Sequence, residues 1–195
     1  MVTSIDNRNV QKTRIHPHKF TLWVAMASII MLFAALTSAY IVKHAQSNWL
    51  EISLPNIFWV STVVIVLSSV TMHLAVKAFK ARERSRYRKL ITATAVLGVL
   101  FAALQIVGFT NLSAHGIRLI GSGSNASASF LLVIIGLHAL HVLGGVVALI
   151  IAFFRAFRTK VKSYNATPVE IVATYWHFVD ILWIYLLVFF ALYAK

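Results

Sequence analysis

At 195 residues, with 59% hydrophobic and only 12% charged side chains, the chain is too apolar for a soluble globule, which carries about 25% charged residues. It has no cysteine, which excludes disulfides and thiolate metal sites. The net charge of +13 does not mark a nucleic-acid binder, because the basic residues gather beside apolar runs, where they set membrane topology and attract anionic lipid.

Five apolar runs, 20–42, 56–78, 90–112, 128–154 and 169–193, each reach the roughly 20 residues that span a bilayer as helix. They are too long and too uniform for barrel strands, which alternate over about 10 residues. The prediction is an all-α integral membrane bundle of five helices, one domain over 1–195. The first run follows a basic tail and exceeds the 7–15 residues of a signal-peptide core, so it reads as a retained helix. Pro17, Pro55 and Pro168 stand just before predicted helices, where a missing N–H costs nothing. Segment 82–89 reads as a short charged loop, and 113–127, with its Gly121-Ser-Gly-Ser-Asn piece, as the longest external connection. Fifteen Lys/Arg fall on one side, before helix 1, between helices 2 and 3 and after helix 4. Three, Lys43, Arg118 and Lys195, fall on the other. That asymmetry predicts a cytoplasmic amino terminus and a periplasmic carboxyl terminus.

Helix 4 carries His138 and His141, and a row of small residues four apart, Gly144, Ala148, Ala152 and Ala156. Such a row lets a neighbouring helix approach closely. Helix 5 carries the stretch Tyr175-Trp-His-Phe-Val-Asp-Ile-Leu-Trp183, in which His177 and Asp180 lie three apart on one face. At 1.5 Å per residue, His141 lies roughly 18 Å, Asp180 roughly 16 Å and His177 roughly 12 Å into the membrane. Ionisable groups at that depth are expensive and mark a site.

Three readings of these polar residues are open. A haem or copper site is disfavoured, because His138 and His141 point to one side of one helix and few histidines lie in the membrane. A proton relay through Asp180 and His177 is the second. An interhelical hydrogen-bond network of His138, His141, His177 and Asp180, fixing helices 4 and 5, is the third and the simplest. On that reading Asp180→Asn impairs assembly more than turnover per assembled complex. Trp176 and Trp183, seven apart, form an aromatic stripe suited to packing, to the interface or to a groove for acyl chains.

The Tyr175–Trp183 stretch resembles the carboxyl-terminal signature of the haem–copper oxidase subunit III family (cytochrome c oxidase subunit 3). Gly136-Leu-His-Ala-Leu-His-Val-Leu-Gly144 resembles that family's two-histidine helix, Leu67-Ser-Ser-Val-Thr-Met72 its hydroxyl-bearing segment, and Ser28-Ile-Ile-Met-Leu-Phe33 its first retained helix. The chain looks like the five-helix bacterial form. The resemblance implies a non-catalytic subunit of a proton-pumping terminal oxidase in the bacterial inner membrane. It implies no cofactor in this chain, haem and copper in partner subunits, and bound phospholipid. It also implies contact with subunit I, association with subunit II, small subunits or a respiratory supercomplex, and support of proton uptake. Lipid would lie between helices 1–2 and helices 3–5, with Arg155, Trp176, Trp183 and Glu170 as candidate contacts. The chain departs from the family at two buried acid positions, which here are Ile29 and Gly108. Other readings are the third subunit of a quinol oxidase, an accessory subunit of nitric oxide reductase and an independent transporter. The transporter gains no support from an internal repeat. A lone lipid enzyme lacks a serine at an obvious spacing from His177 and Asp180.

Overall fold

The computed structural model describes residues 17–44, 56–114, 126–157 and 166–193. They form five helices: α1 Pro17–His44, α2 Ile57–Lys80, α3 Arg84–Ala114, α4 Ala126–Phe157 and α5 Thr167–Tyr193. Every one is long and apolar enough to cross a membrane, and the shortest, α2 with 24 residues, is about 36 Å long. The chain is a multi-pass membrane protein.

The predicted spans lie within these helices, apart from one residue at the start of α2. The loop expected over 82–89 is shorter than that, because α3 already begins at Arg84. Charged side chains beyond the apolar layer meet water and headgroups, so the helix continues through them. The α2–α3 turn is tight. The N–H of Glu83 bonds the carbonyl of Ala78 and that of Arg82 bonds Phe79, both at 3.0 Å, with Arg82 at φ 60. This is the left-handed helix end usually built on glycine. Pro17 opens α1 and Pro168 sits in the first turn of α5 rather than ahead of it, where its missing donor is equally harmless. Pro55 and most of 113–127 lie outside the described residues.

Helices α2, α3, α4 and α5 pack in sequence around a closed four-helix bundle, α5 returning to α2. Helix α1 lies outside it, along α4 and α5, through Met26, Phe33, Thr37 and Tyr40. It makes no close backbone approach to α2. The expected division into helices 1–2 and helices 3–5 is therefore corrected. Helix α2 packs on α3 and α5 instead. At one end, Glu170 of α5 joins Lys19 of α1 (2.6 Å) and Lys80 of α2 (2.8 Å). At the same end Arg88 of α3 donates from Nε to the Ala156 carbonyl of α4 (2.9 Å) and covers the Phe157 ring. All described lysines and arginines except Lys43 lie at this basic end.

The outer surface is apolar on every helix, with Trp23, Val63, Val99, Leu140 and Ile181 among the exposed residues. The interior holds hydroxyl groups. This inversion suits a medium that offers no hydrogen bonds.

Candidate functional site

The α5 signature folds inward. Trp176, Val179, Asp180, Trp183, Leu186 and Leu187 recur at helical spacing and are all buried. Trp176 is fully enclosed, at 0% exposure. Its ring is wedged between two glycines: a Cβ at Gly98 of α3 would lie 3.0 Å from it, and one at Gly145 of α4 would lie 2.9 Å from it. The close approach therefore falls on Gly145. Gly144, which heads the expected small-residue row, is exposed, although Ala152 of that row is buried.

Helix α2 satisfies both indoles. Trp176 donates from Nε1 to the Ser68 hydroxyl at 3.1 Å, and Trp183 from Nε1 to Thr62 at 3.0 Å. Gln105 of α3 donates to Ser61 at 3.1 Å, and Thr71 meets Thr94 of α3 at 2.9 Å. Each acceptor on α2 gives its own proton to a carbonyl. Ser61 and Thr62 bond Phe58 at 2.9 and 2.7 Å, and Ser68 bonds Thr94 at 3.4 Å. A hydroxyl that donates to backbone still has lone pairs for a neighbouring N–H. The Trp183 ring is closed in by Phe58 and Phe101 edge-on and by His138 stacked at 5.2 Å.

The predicted polar residues are distributed around this hub, and no hydrogen bond joins any two of them. His177 Nδ1 lies 2.6 Å from the Ser69 hydroxyl of α2. His141 Nδ1 bonds the Leu137 carbonyl of its own helix at 2.7 Å, and Tyr175 donates to the His141 carbonyl at 3.1 Å, tying α5 to α4. His138 and Asp180 are buried, at 1% and 3% exposure, and neither makes a hydrogen bond with a described residue. The α5–α2 ties run instead through Ser69, Ser68 and Thr62, which sequence reasoning passed over as partners. A signal was present. Hydroxyl pairs at 61–62 and 68–69 recur seven apart on an otherwise apolar helix, matching the seven-residue spacing of the two tryptophans.

The lipid candidates divide. Trp176 and Trp183 are corrected: at 0% and 2% exposure they present no ring surface to an acyl chain. Glycines on the neighbouring helices and acceptors on α2 draw them into the core. Arg155 is exposed and lines a cavity of about 820 Å³ between α1, α4 and α5, with His18 and Thr21 near it and Ala25, Ile171 and Val172 below. Glu170 faces a second cavity, of about 300 Å³, lined by Lys19, His73, Thr174 and His177. The departures from the family also acquire a setting. Ile29 packs against the core, and a side chain at Gly108 would meet the Phe58 ring at 2.6 Å, which leaves no room for an acid.

Among the described residues no three of His, Asp and Glu converge as metal ligands. His138 is stacked against aromatic rings and His141 is held by its own backbone, so this donor set does not fit a haem or copper centre.

The family described as "Cytochrome c oxidase subunit III" matches residues 19–195 of this chain. The "Probable cytochrome c oxidase subunit 3" of Mycobacterium tuberculosis (strain ATCC 25618 / H37Rv) is 34% identical over 167 residues, covering 83% of this chain and 80% of the relative. The "Cytochrome c oxidase subunit 3" of Corynebacterium diphtheriae is 30% identical over 169 residues, with 83% and 80% covered. That of Thermostichus vulcanus is 30% identical over 175 residues, with 85% and 82% covered.

Proposed function

Because the chain belongs to the cytochrome c oxidase subunit III family, we propose that it serves as the non-catalytic third subunit of a proton-pumping haem–copper terminal oxidase. It buttresses subunit I, carries phospholipid and supports proton uptake, with its basic end in the cytoplasm of a bacterial cell. The family match over nearly the whole chain carries this reading. The fold supports it physically. Its polar groups are used mainly to lock helices together, and its apolar exterior offers broad surface to lipid and to other membrane-spanning subunits.

The Arg155 cavity is the proposed phospholipid seat. A guanidinium at the membrane surface meets a phosphate in two-pronged geometry, and Ala25, Ile171 and Val172 below it would take the acyl chains. Arg155→Ala is expected to remove about one tightly held anionic phospholipid per complex and to leave assembly unchanged, read by mass spectrometry of lipids retained through purification. Retention of every lipid would remove the assignment.

The oxidase assignment is tested by purifying the tagged chain from membranes in mild detergent and recording the visible spectrum. Haem bands and a subunit I partner should co-purify. Recovery of the chain alone would overturn the reading.

A further inference from the structure

Asp180 has no role in the packing just described. Its carboxyl group is buried and accepts no hydrogen bond from a described residue. A carboxylate taken into such surroundings costs several kcal/mol unless a cation or several donors meet it. His177 lies one helical turn before Asp180 on the same face of α5, and the Ser69 hydroxyl of α2 stands 2.6 Å from His177 Nδ1. His177 in turn lines the 300 Å³ cavity, together with His73, whose ring centre is 6.4 Å from its own. Lys19 and Glu170 stand at that cavity's basic end. A path of groups able to exchange protons thus runs from the basic end through His177 and Ser69 to Asp180. It stops there. Beyond Asp180 the core face of α5 continues with Trp183, Leu186, Leu187 and Phe190, all buried and none ionisable, and His138 of α4, stacked on Trp183, makes no hydrogen bond with a described residue that would carry the path on.

We propose that Asp180 is a one-ended proton-binding site, which takes up and returns a proton at the basic end of the bundle through Ser69 and His177. A proton from cavity water binds the free ring nitrogen of His177. The proton on Nδ1 passes to Ser69 Oγ, and Ser69 turns to give its own to an Asp180 oxygen. One proton enters and one is bound, and His177 ends neutral as its other tautomer. The ionisable groups around this path are Lys19 of α1, His73 and Lys80 of α2, His138 and His141 of α4, and Glu170, Tyr175 and His177 of α5. This assignment rests on the bundle's geometry and not on the chain's place in an oxidase.

Infrared spectroscopy of the intact purified complex, moved from water to heavy water, tests it. A carboxylic-acid carbonyl band should shift on exchange, vanish in Asp180→Asn and move in Asp180→Glu. Ser69→Ala and His177→Phe should keep the band and slow its exchange roughly tenfold or more, the scale of losing one positioned proton-transfer group. The two substitutions need no Asp180 variant to fold. The proposal is overturned by the absence of such a band, by a band that resists exchange in the native complex, or by exchange indifferent to both Ser69→Ala and His177→Phe.

Discussion

Gly98→Ala will destabilise the bundle, and Trp176→Phe in the same chain will partly restore it. The added methyl lies 3.0 Å from Cη2 and 3.1 Å from Cζ2 of Trp176, closer than carbon atoms pack. Overpacking a filled core costs about 1–3 kcal/mol. The gain in helix propensity from glycine to alanine is at most about 1 kcal/mol, so the clash wins. Phenylalanine lacks both offending atoms. On its own Trp176→Phe loses packing and the bond to Ser68. The double variant should therefore be more stable than the sum of the singles by about 1 kcal/mol or more, the size of coupling seen between residues in contact. Gly145→Ala, 2.9 Å from the same ring, should be as damaging. Thermal denaturation of the purified complex reads all of these. Additive losses would mean that the ring does not sit between the two helices.

The second large effect comes from the acceptors on α2. Thr62→Val is nearly isosteric and removes only the hydroxyl that receives the Trp183 N–H. Ser68→Ala does the same for Trp176. A buried donor without an acceptor costs about 1–3 kcal/mol, although hydrogen bonds between membrane helices average nearer 0.6. The two positions are six residues, about 9 Å, apart on one helix, far enough for their effects to add. Together they should cost about 2–4 kcal/mol in thermal or denaturant unfolding. The same Thr62→Val change in a Trp183→Phe background should cost little, because no N–H remains to be stranded. An equal loss in both backgrounds would show that Thr62 acts by packing alone.

Asp180→Asn contrasts with these. Its side chain has no hydrogen bond to a described residue to lose, which removes the ground for expecting an assembly defect from that substitution. The sequence reading assumed that polar groups on helices 4 and 5 find one another.

How far the fold was legible follows from the physics of each signal. Span length and position were readable because the bilayer demands about 20 apolar residues regardless of packing. Which face of a span looks inward was not, since lipid and core are equally apolar and periodicity loses its meaning. That is why packing, the interface and an acyl-chain groove all stayed open for Trp176 and Trp183, of which their enclosure fits packing. Adjacent residues differ by about 100° around a helix, so a row of small residues beginning at Gly144 named the right segment of α4 and missed Gly145. Of the candidate site, the α5 stretch was found from its depth and composition. Its partners on α2 were not, because serine and threonine in membrane helices ordinarily satisfy themselves on their own backbone.

That habit bears on how the chain is made. Helices α2 and α3 are joined by a three-residue turn and pack more extensively than any other pair, so they can enter the bilayer as a unit while α5 is still unsynthesised. Until α5 emerges, the hydroxyls of Ser61 and Thr62 rest on the Phe58 carbonyl, so neither faces lipid bare in the interval. The arriving indoles then find acceptors already aimed at them. The fifth span acts as a keystone, closing a ring whose earlier members were stable enough to wait for it.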